Sequence, residues 1–320
     1  MREPANPGWP VPAAIIVALL ITAGVVFSEN SGAKNVTPQS PVDFLNREAP
    51  PVSAEARREM ETRLDEARAN YKARPNDAEA SIWVGRRLAY LGRFREAIDW
   101  YSEAINKFPN DARLYRHRGH RYITTRQFER AIADLKRAAQ LTKGKPDEIE
   151  PDGQPNARNI PTSTLQFNIW YHLGLVYYLT GNNKEALASY RECLKVSKSP
   201  DRLVATSHWL YMTLRRLGRT REAEIVLVPI THQMDIIENG SYHRLLLMYK
   251  GRIFAEALER EALREGSSAG SYSILYGIGN WHLYNGRKDA AIRIFQQMLA
   301  SDQWTSFGYI AAEADMKRLQ

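Results

Sequence analysis

The sequence contains one cysteine, Cys193, among its 320 residues. A single cysteine excludes an intramolecular disulfide bond and disfavours a cysteine-based zinc site. A glycine-rich phosphate loop, a nucleophile elbow and an HExxH metal-binding helix are also missing from the sequence. No motif therefore argues for an enzyme, and we expect the protein to need no cofactor.

Seven histidines remain as candidates for metal binding or catalysis. His117 and His120 have the i, i+3 spacing that places two side chains on one face of a helix. The arginines around them would repel a divalent cation, and no carboxylate lies at a matching spacing. We therefore expect packed or hydrogen-bonded histidines and no metal site.

The net charge of the chain is +8, and it is distributed unevenly. Between Asp111 and Arg137 only three residues are acidic, whereas eight are basic: Arg113, Arg116, Arg118, Arg121, Arg126, Arg130, Lys136 and Arg137. A positive segment of this kind is expected to attract acidic partners.

An apolar run from Val11 to Phe27 dominates the N-terminus. It is longer than a typical signal-peptide core and shorter than a typical membrane-spanning helix. Residues 1–33 are therefore predicted to be either a signal peptide that is cleaved after Ala33 or an uncleaved membrane anchor, an untargeted apolar segment being the remaining alternative. Either export signal places the protein on the periplasmic or secreted side, with membrane contact only through this segment.

Residues 34–52 are polar and rich in proline, and they lack helical periodicity. This composition predicts a flexible linker. Beyond it, spaced apolar residues such as Met60, Leu64 and Tyr71 predict an amphipathic helix with Ser53 as its N-cap.

The four residues Pro-Asn-Asp-Ala occur at Pro75–Ala78 and again at Pro109–Ala112, which is 34 residues later. Self-similarity at such a period indicates a solenoid of repeated helical units. In this register small residues recur at the eighth and twentieth positions of the unit, namely Gly85, Gly119, Gly174, Gly279, Ala97, Ala131, Ala186 and Ala291. Small residues let neighbouring helices approach closely, so that the units bury one continuous core.

These residues resemble the tetratricopeptide repeat family, and the resemblance covers about residues 53–320. It implies an all-α fold, a right-handed superhelical solenoid of helix-turn-helix repeats. Six units are expected, near 78–111, 112–145, 167–200, 204–237, 238–271 and 272–305. An insertion at 143–163 separates the second unit from the third, and 306–320 is expected to form a capping helix at the exposed end of an elongated domain.

Two of the expected units depart from the family pattern. Tyr211 and Leu245 occupy the eighth position in the fourth and fifth units, where the pattern has a small residue. Pro229 must end or kink the second helix of the fourth unit, because proline cannot continue a helical hydrogen-bond ladder.

The resemblance also implies a concave groove, lined by one stripe of the first helix of each unit. In this chain that stripe consists of Arg86, Arg113, Arg116, His120, Asn168, Tyr171, Tyr178, His208, Arg215, Asn239, Tyr242, Tyr249, Tyr276 and Asn280. Asparagine pairs with peptide amides, tyrosine offers a rigid face, and arginine binds carboxylates through two nitrogens. The stripe therefore suits an extended or acidic peptide, the alternative being that these residues are solvated or partly packed. The carboxylate clamp of some family members is not reproduced, since Ile82 and Arg86 occupy its places.

The insertion at 143–163 carries an acidic cluster of Asp147, Glu148, Glu150 and Asp152 beside the most basic unit. A loop of this length inside a compact array is usually functional or disordered. One hypothesis is that it folds over Arg113 and Arg116 as an internal pseudo-ligand, and the alternative is a solvated loop.

The sequence thus favours a non-enzymatic scaffold that binds proteins or peptides on the outer side of a membrane. An RNA-binding helical-repeat protein is the second hypothesis, although export disfavours a nucleic-acid partner. An enzyme that uses histidines near the insertion is the third, and it would require several of His172, His208, His243 and His282 to converge in one pocket.

Overall fold

The structure, a computed structural model, describes residues 41–266 and 268–320. In these ranges the chain forms fifteen α-helices and no β-strand, apart from one isolated antiparallel bridge between Ile149 and Thr164. In chain order the helices are α1 (Pro41–Asn46), α2 (Ala54–Ala73), α3 (Ala78–Tyr90), α4 (Phe94–Lys107), α5 (Ala112–Thr124), α6 (Phe128–Thr142), α7 (Leu165–Leu179), α8 (Asn183–Val196), α9 (Pro200–Arg216), α10 (Thr220–Leu227), α11 (Gly240–Tyr249), α12 (Ala255–Glu265), α13 (Ala269–Tyr284), α14 (Lys288–Leu299) and α15 (Phe307–Leu319). The all-α prediction is confirmed.

The apolar run at 11–27, with the predicted signal peptide or anchor (1–33), lies outside the described residues. Of the helices from α1 to α15, none combines the length and the apolar character that a membrane span requires.

Close contact between the two helices of a pair depends on the small residues of the repeat pattern. A Cβ atom built on Gly85 would lie 2.4 Å from the ring of Tyr101. A Cβ atom built on Gly174 would lie 2.6 Å from the ring of Tyr190. In both pairs the glycine is at the eighth position of the unit and the aromatic ring at the twenty-fourth. The repeat pattern therefore reflects a packing contact between the two helices of a unit, α3 with α4 and α7 with α8.

The helix ends follow local chemistry. Ser53 caps α2, and its hydroxyl oxygen accepts a hydrogen bond from the backbone N–H of Ala56 at 3.1 Å. Asp77 and Asp111 cap α3 and α5 in the same way, because a short acceptor side chain satisfies one free N–H of the first turn. Helix α10 ends at Leu227, two residues before Pro229, as that proline requires.

Residues 41–52 differ from the flexible linker that was predicted there. They include the short helix α1, whose Phe44 is buried. The ring of Phe44 lies 5.8 Å from that of Trp304, and the Asn46 side chain accepts a hydrogen bond from Arg95 at 2.9 Å. A single buried aromatic residue leaves no periodicity in a sequence, which is why the pattern missed this contact.

The two ends of the described helical array touch each other. Trp304, between α14 and α15, packs edge-on against Phe94 at 5.6 Å and donates a hydrogen bond from Nε1 to the carbonyl oxygen of Glu48 at 2.8 Å. The expectation of an elongated domain with an exposed capped end is therefore not met.

Candidate functional site

We call the face formed by the fourteen predicted groove residues the inner surface. None of these residues is fully exposed in the structure. Eight are buried, namely Arg86, Arg116, Asn168, Tyr171, Tyr178, His208, Tyr276 and Asn280. The other six are half-buried, namely Arg113, His120, Arg215, Asn239, Tyr242 and Tyr249. The inner surface is covered by other parts of the same chain, so it is not an open groove in this structure.

Helix α15 covers the part of the inner surface that lies near α7, α9 and α13. Its Asp315 is 1% exposed and accepts hydrogen bonds from both terminal nitrogens of Arg216, one of them at 2.8 Å. Tyr276 Oη lies 3.0 Å from the same carboxylate. Arg216 also donates to the side-chain oxygen of Asn280 at 2.9 Å. A buried carboxylate held by a bidentate arginine fixes α15 in position.

The first residue of α15, Phe307, enters a cluster of rings on the inner surface. Its centroid lies 5.3 Å from that of His120 and 5.6 Å from that of His172, and these two imidazoles are 4.5 Å apart. Burial and nearby arginines hold the pKa of both histidines well below its ordinary value, so both are neutral at pH 7. Neutral rings suit the apolar contact with Phe307.

Further along α15, Glu313 forms an ion pair with Arg126 at 2.9 Å. Arg126 follows α5 and has a φ of 59°, whereas Gly92 and Gly181 occupy the matching turns of other units with φ of 75° and 78°. A non-glycine residue in this region is strained by roughly 1–3 kcal/mol. The ion pair, together with the ring of Phe44 4.1 Å below the guanidinium, helps hold the arginine there.

The middle units contribute a buried aromatic ladder to the inner surface. Tyr171 Oη accepts a hydrogen bond from Trp209 Nε1 at 2.8 Å and lies 3.1 Å from Tyr242 Oη. The imidazole of His208 stacks on the ring of Tyr242 with centroids 4.6 Å apart. Burial lowers the pKa of His208 to about 3, and its Nε2 has no hydrogen-bond partner. These tyrosines bind one another rather than offering free faces to a peptide.

The other predicted residues also have internal partners. Asn239 donates a hydrogen bond from its backbone N–H to Asp201 at 2.9 Å, and Arg215 donates to Asn285 at 3.0 Å. Arg113 forms ion pairs with Asp111 and Glu79.

The insertion (143–163) is docked against the array at a few points, although most of its residues are exposed. Asp147 accepts a hydrogen bond from the backbone N–H of Gln166 at 2.9 Å, in the first turn of α7. Arg87 donates to the carbonyl oxygen of Gly153 at 2.9 Å, and Asn156 donates to Glu238 at 2.9 Å. The insertion therefore reaches from α3 to the segment that precedes α11.

Of the two arginines that the pseudo-ligand hypothesis names, the insertion contacts Arg116. Glu150 of the insertion forms an ion pair with Arg116 at 2.8 Å, and both side chains are 9% exposed. Arg113 instead has Asp111 and Glu79 as partners.

A small cavity of about 120 Å³, which we call the arginine pocket, adjoins this ion pair. Its main polar lining consists of Arg86, Arg116, Arg121, Tyr90, Tyr101 and Glu150. Arg86 donates to Tyr90 Oη at 3.2 Å. Burial lowers the pKa of Arg121 to about 10, which still leaves it protonated at pH 7.

Much of the basic charge between 111 and 137 is neutralised inside the molecule. Four of the eight basic residues form ion pairs with carboxylates, namely Arg113, Arg116, Arg118 and Arg126. The strongly positive surface inferred from the sequence is correspondingly reduced.

The four candidate histidines, His172, His208, His243 and His282, do not converge in one pocket, as a catalytic cluster would require. His208 stacks on Tyr242, His243 lies 2.7 Å from the carbonyl oxygen of Thr231, and His282 accepts from Arg287 at 2.7 Å. Within residues 41–266 and 268–320, no group of three or more His, Cys, Asp or Glu side chains is arranged to hold a metal ion. Cys193 is fully buried, and burial raises the pKa of its thiol to about 12.

Sequence reasoning missed the residues that fill the inner surface: Phe307, Glu313, Asp315, Arg126 and Arg216. One signal was present, because Arg126 stands where Gly92 and Gly181 stand in other units. The rest left no local trace, since their partners are far apart in sequence.

Comparison with known proteins agrees with the repeat pattern. Two family models described as tetratricopeptide repeat match the chain, at residues 61–112 and 167–199. A human protein, tetratricopeptide repeat protein 13, is 31% identical over 108 residues, which is 34% of this chain. The chain spans about 10% of the length of that relative.

Solved structures of similar proteins are more distant. A tetratricopeptide repeat protein from Parabacteroides merdae is 15% identical with a TM-score of 0.45, the match covering 88% of this chain and 96% of that one. YrrB, described as a TPR protein with an unusual peptide-binding site, is 14% identical with a TM-score of 0.42, the match covering 78% and 97%. The matches to the two family models, in a chain whose described residues are all-helical, show that it contains tetratricopeptide repeats at residues 61–112 and 167–199.

Proposed function

We propose that this protein is a non-enzymatic scaffold whose inner surface accepts a helical segment of a partner protein in the place that α15 occupies. Tetratricopeptide repeats suggest a protein-interaction role in general terms. The specific proposal rests on one observation: the inner surface holds a helix of this chain through an aromatic residue and two acidic residues, Phe307, Glu313 and Asp315.

The contacts of α15 define the chemistry of the partner. A competing segment would need an aromatic ring for the pocket between His120 and His172, followed two turns later by carboxylates for Arg126 and Arg216. An acidic amphipathic helix meets these requirements better than the fully extended peptide suggested by the tyrosine stripe, because the tyrosines are paired with one another.

A labelled peptide with the sequence of residues 305–320 tests this proposal. In the wild-type chain α15 competes at the millimolar effective concentration typical of a tethered ligand, so binding of the free peptide should be weak. Phe307→Ala in the full chain removes the ring that anchors α15 without leaving a buried charge. We expect fluorescence anisotropy to show at least tenfold tighter binding of the peptide to this variant.

Two controls make the result specific. Phe254→Ala removes a phenylalanine that is 82% exposed, and should leave binding as weak as in the wild type. A peptide carrying Asp315→Lys should bind none of the three proteins, because it cannot pair with Arg216. Equal binding of the peptide to all three proteins would show that the inner surface does not accept a helix in trans.

We further propose an extracytoplasmic location, supported by the apolar run from Val11 to Phe27 and the polar segment that follows it. Fusion of residues 1–40 to alkaline phosphatase, which is active only after export, tests this. Phosphatase activity in cells is expected. An inactive fusion that accumulates in the cytoplasm would reject the location without affecting the binding proposal.

A further inference from the structure

The arginine pocket contains more positive than negative charge. Arg86, Arg116 and Arg121 line it, and Glu150 is the only carboxylate in its lining, which leaves a surplus of two positive charges. The two histidines of the lining, His117 and His120, are neutral at pH 7, because burial and the arginines lower the pKa of both. The surplus therefore belongs to the guanidinium groups alone.

Several hydrogen-bonding atoms of the pocket have no partner in the structure. Arg116 and Glu150 are both more than nine-tenths buried, at 7% and 9% exposure, and the Nε of the arginine and one oxygen of the glutamate are unpaired. The guanidinium of Arg121 makes no hydrogen bond or ion pair among the described residues and lies 5.8 Å from the ring of Phe94. Buried hydrogen-bonding groups without partners are costly, so the pocket suits a polar ligand that can pair with them.

The size of the cavity restricts what can fill it. At about 120 Å³ it has room for several water-sized molecules. A five-atom oxyanion therefore fits this space.

We propose that the arginine pocket binds a small oxyanion with two negative charges, of the phosphate or sulfate class. Such an anion matches the surplus of two positive charges and accepts hydrogen bonds from the unpaired Nε of Arg116 and from Arg121. Glu150, which the insertion brings to the pocket, limits the affinity of the site by competing for Arg116. This proposal does not depend on the exchange of α15 for a partner helix.

Titration of the full-length protein with inorganic phosphate, followed by isothermal calorimetry, tests the site. The reference is sodium chloride at the same ionic strength, which screens charge without filling the pocket. We expect saturable binding of phosphate and of sulfate, and no binding of chloride.

Arg121→Gln should weaken phosphate binding at least tenfold, because it removes a free guanidinium. Glu150→Gln should strengthen it about tenfold, because it removes a negative charge from the pocket.

Arg221→Gln is the matched control, since Arg221 is an exposed arginine on α10. It should bind phosphate as the wild type does. Arg121→Gln removes repulsion between like charges and is expected to fold. If Glu150→Gln does not fold, the comparison of Arg121→Gln with Arg221→Gln still tests whether the arginine pocket binds phosphate. Binding that is equal in these two variants, or a response to phosphate no larger than that to chloride, would overturn the proposal.

Discussion

The buried imidazole of His208 should make stability depend on pH. Burial lowers its pKa to about 3 in the folded chain, whereas an unfolded histidine titrates near 6.5. Between these values the unfolded state binds one more proton than the folded state, so stability falls as the pH decreases from about 6.5 towards 3. At pH 5 the loss from this residue is about 2 kcal/mol relative to pH 8.

Urea unfolding at pH 5 and pH 8 measures this effect. The difference in unfolding free energy between the two values should be smaller by about 2 kcal/mol in His208→Gln than in the wild type. His232 is exposed on the segment before α11, and His232→Gln should keep the wild-type difference. The interpretation fails if both variants give the same difference.

Gly153 is expected to be a critical residue of the insertion. A Cβ atom added there would lie 1.7 Å from the hydroxyl oxygen of Tyr90, which itself accepts a hydrogen bond from Arg86. Gly153→Ala should therefore loosen the insertion and lower stability by about 1–3 kcal/mol. Hydrogen exchange of amides near Glu150 measures the loosening directly, and faster exchange is expected.

Gly240 supplies a matched control for that substitution. A Cβ atom added to this first residue of α11 meets no atom within 4 Å. Gly240→Ala should be neutral or stabilise the protein by about 0.4–1 kcal/mol, because alanine restricts the unfolded chain. Equal effects of the two substitutions would show that the contact with Tyr90 has no role.

At the scale of single elements, α15 should depend on its buried carboxylate. Asp315→Asn would leave the buried guanidinium of Arg216 without its counter-charge, and removal of one partner of a buried ion pair costs about 3–5 kcal/mol. We expect chemical denaturation to show a loss of this size and hydrogen exchange to show faster exchange in α15.

Asp302→Asn removes a carboxylate that is exposed, close to α15 in sequence, and should change stability by less than about 0.5 kcal/mol. A loss equally small in Asp315→Asn would mean that the ion pair contributes little to holding α15.

Some contacts between helices could be predicted from the sequence and others could not, and the difference has a physical cause. The contact of Gly85 with Tyr101 and that of Gly174 with Tyr190 join residues 16 apart within one unit, so the repeat period reveals them. The contact of Arg126 with Glu313 joins residues 187 apart, and that of Trp304 with Glu48 residues 256 apart. Contacts of this second kind leave no periodic trace, so α1 and the place of α15 could not be inferred.

The same limit explains the outcome for the inner surface. Three residues of the predicted stripe, Tyr171, Tyr242 and His208, contact one another in the structure. Whether that face is open or covered depends on where α15 and the insertion dock, which is a property of the whole chain.

At the scale of the whole molecule, contact between the two ends should change how the protein unfolds. An open solenoid is held by neighbouring repeats only, so it frays from its ends. In this chain Trp304 is 1% exposed and lies between Phe44 and Phe94, which joins the last helices to the first. The end helices should therefore be protected from hydrogen exchange to nearly the same degree as the central α7 and α9.

Trp304→Ala should convert this closed array into one that frays. Truncation of a buried tryptophan costs about 3–5 kcal/mol. Here the loss should be concentrated at the ends, with faster hydrogen exchange in α1 and α15 and little change in α7 and α9.

Trp281→Ala is the matched control, because Trp281 is half-buried and its ring contacts are with His282 and Arg287 of the same unit. That variant should lose stability, but its hydrogen exchange should not become faster in the end helices than in the central helices. If exchange in Trp304→Ala increases evenly over all helices, the contact between the ends contributes only to overall stability, and closure does not determine the order in which the repeats open.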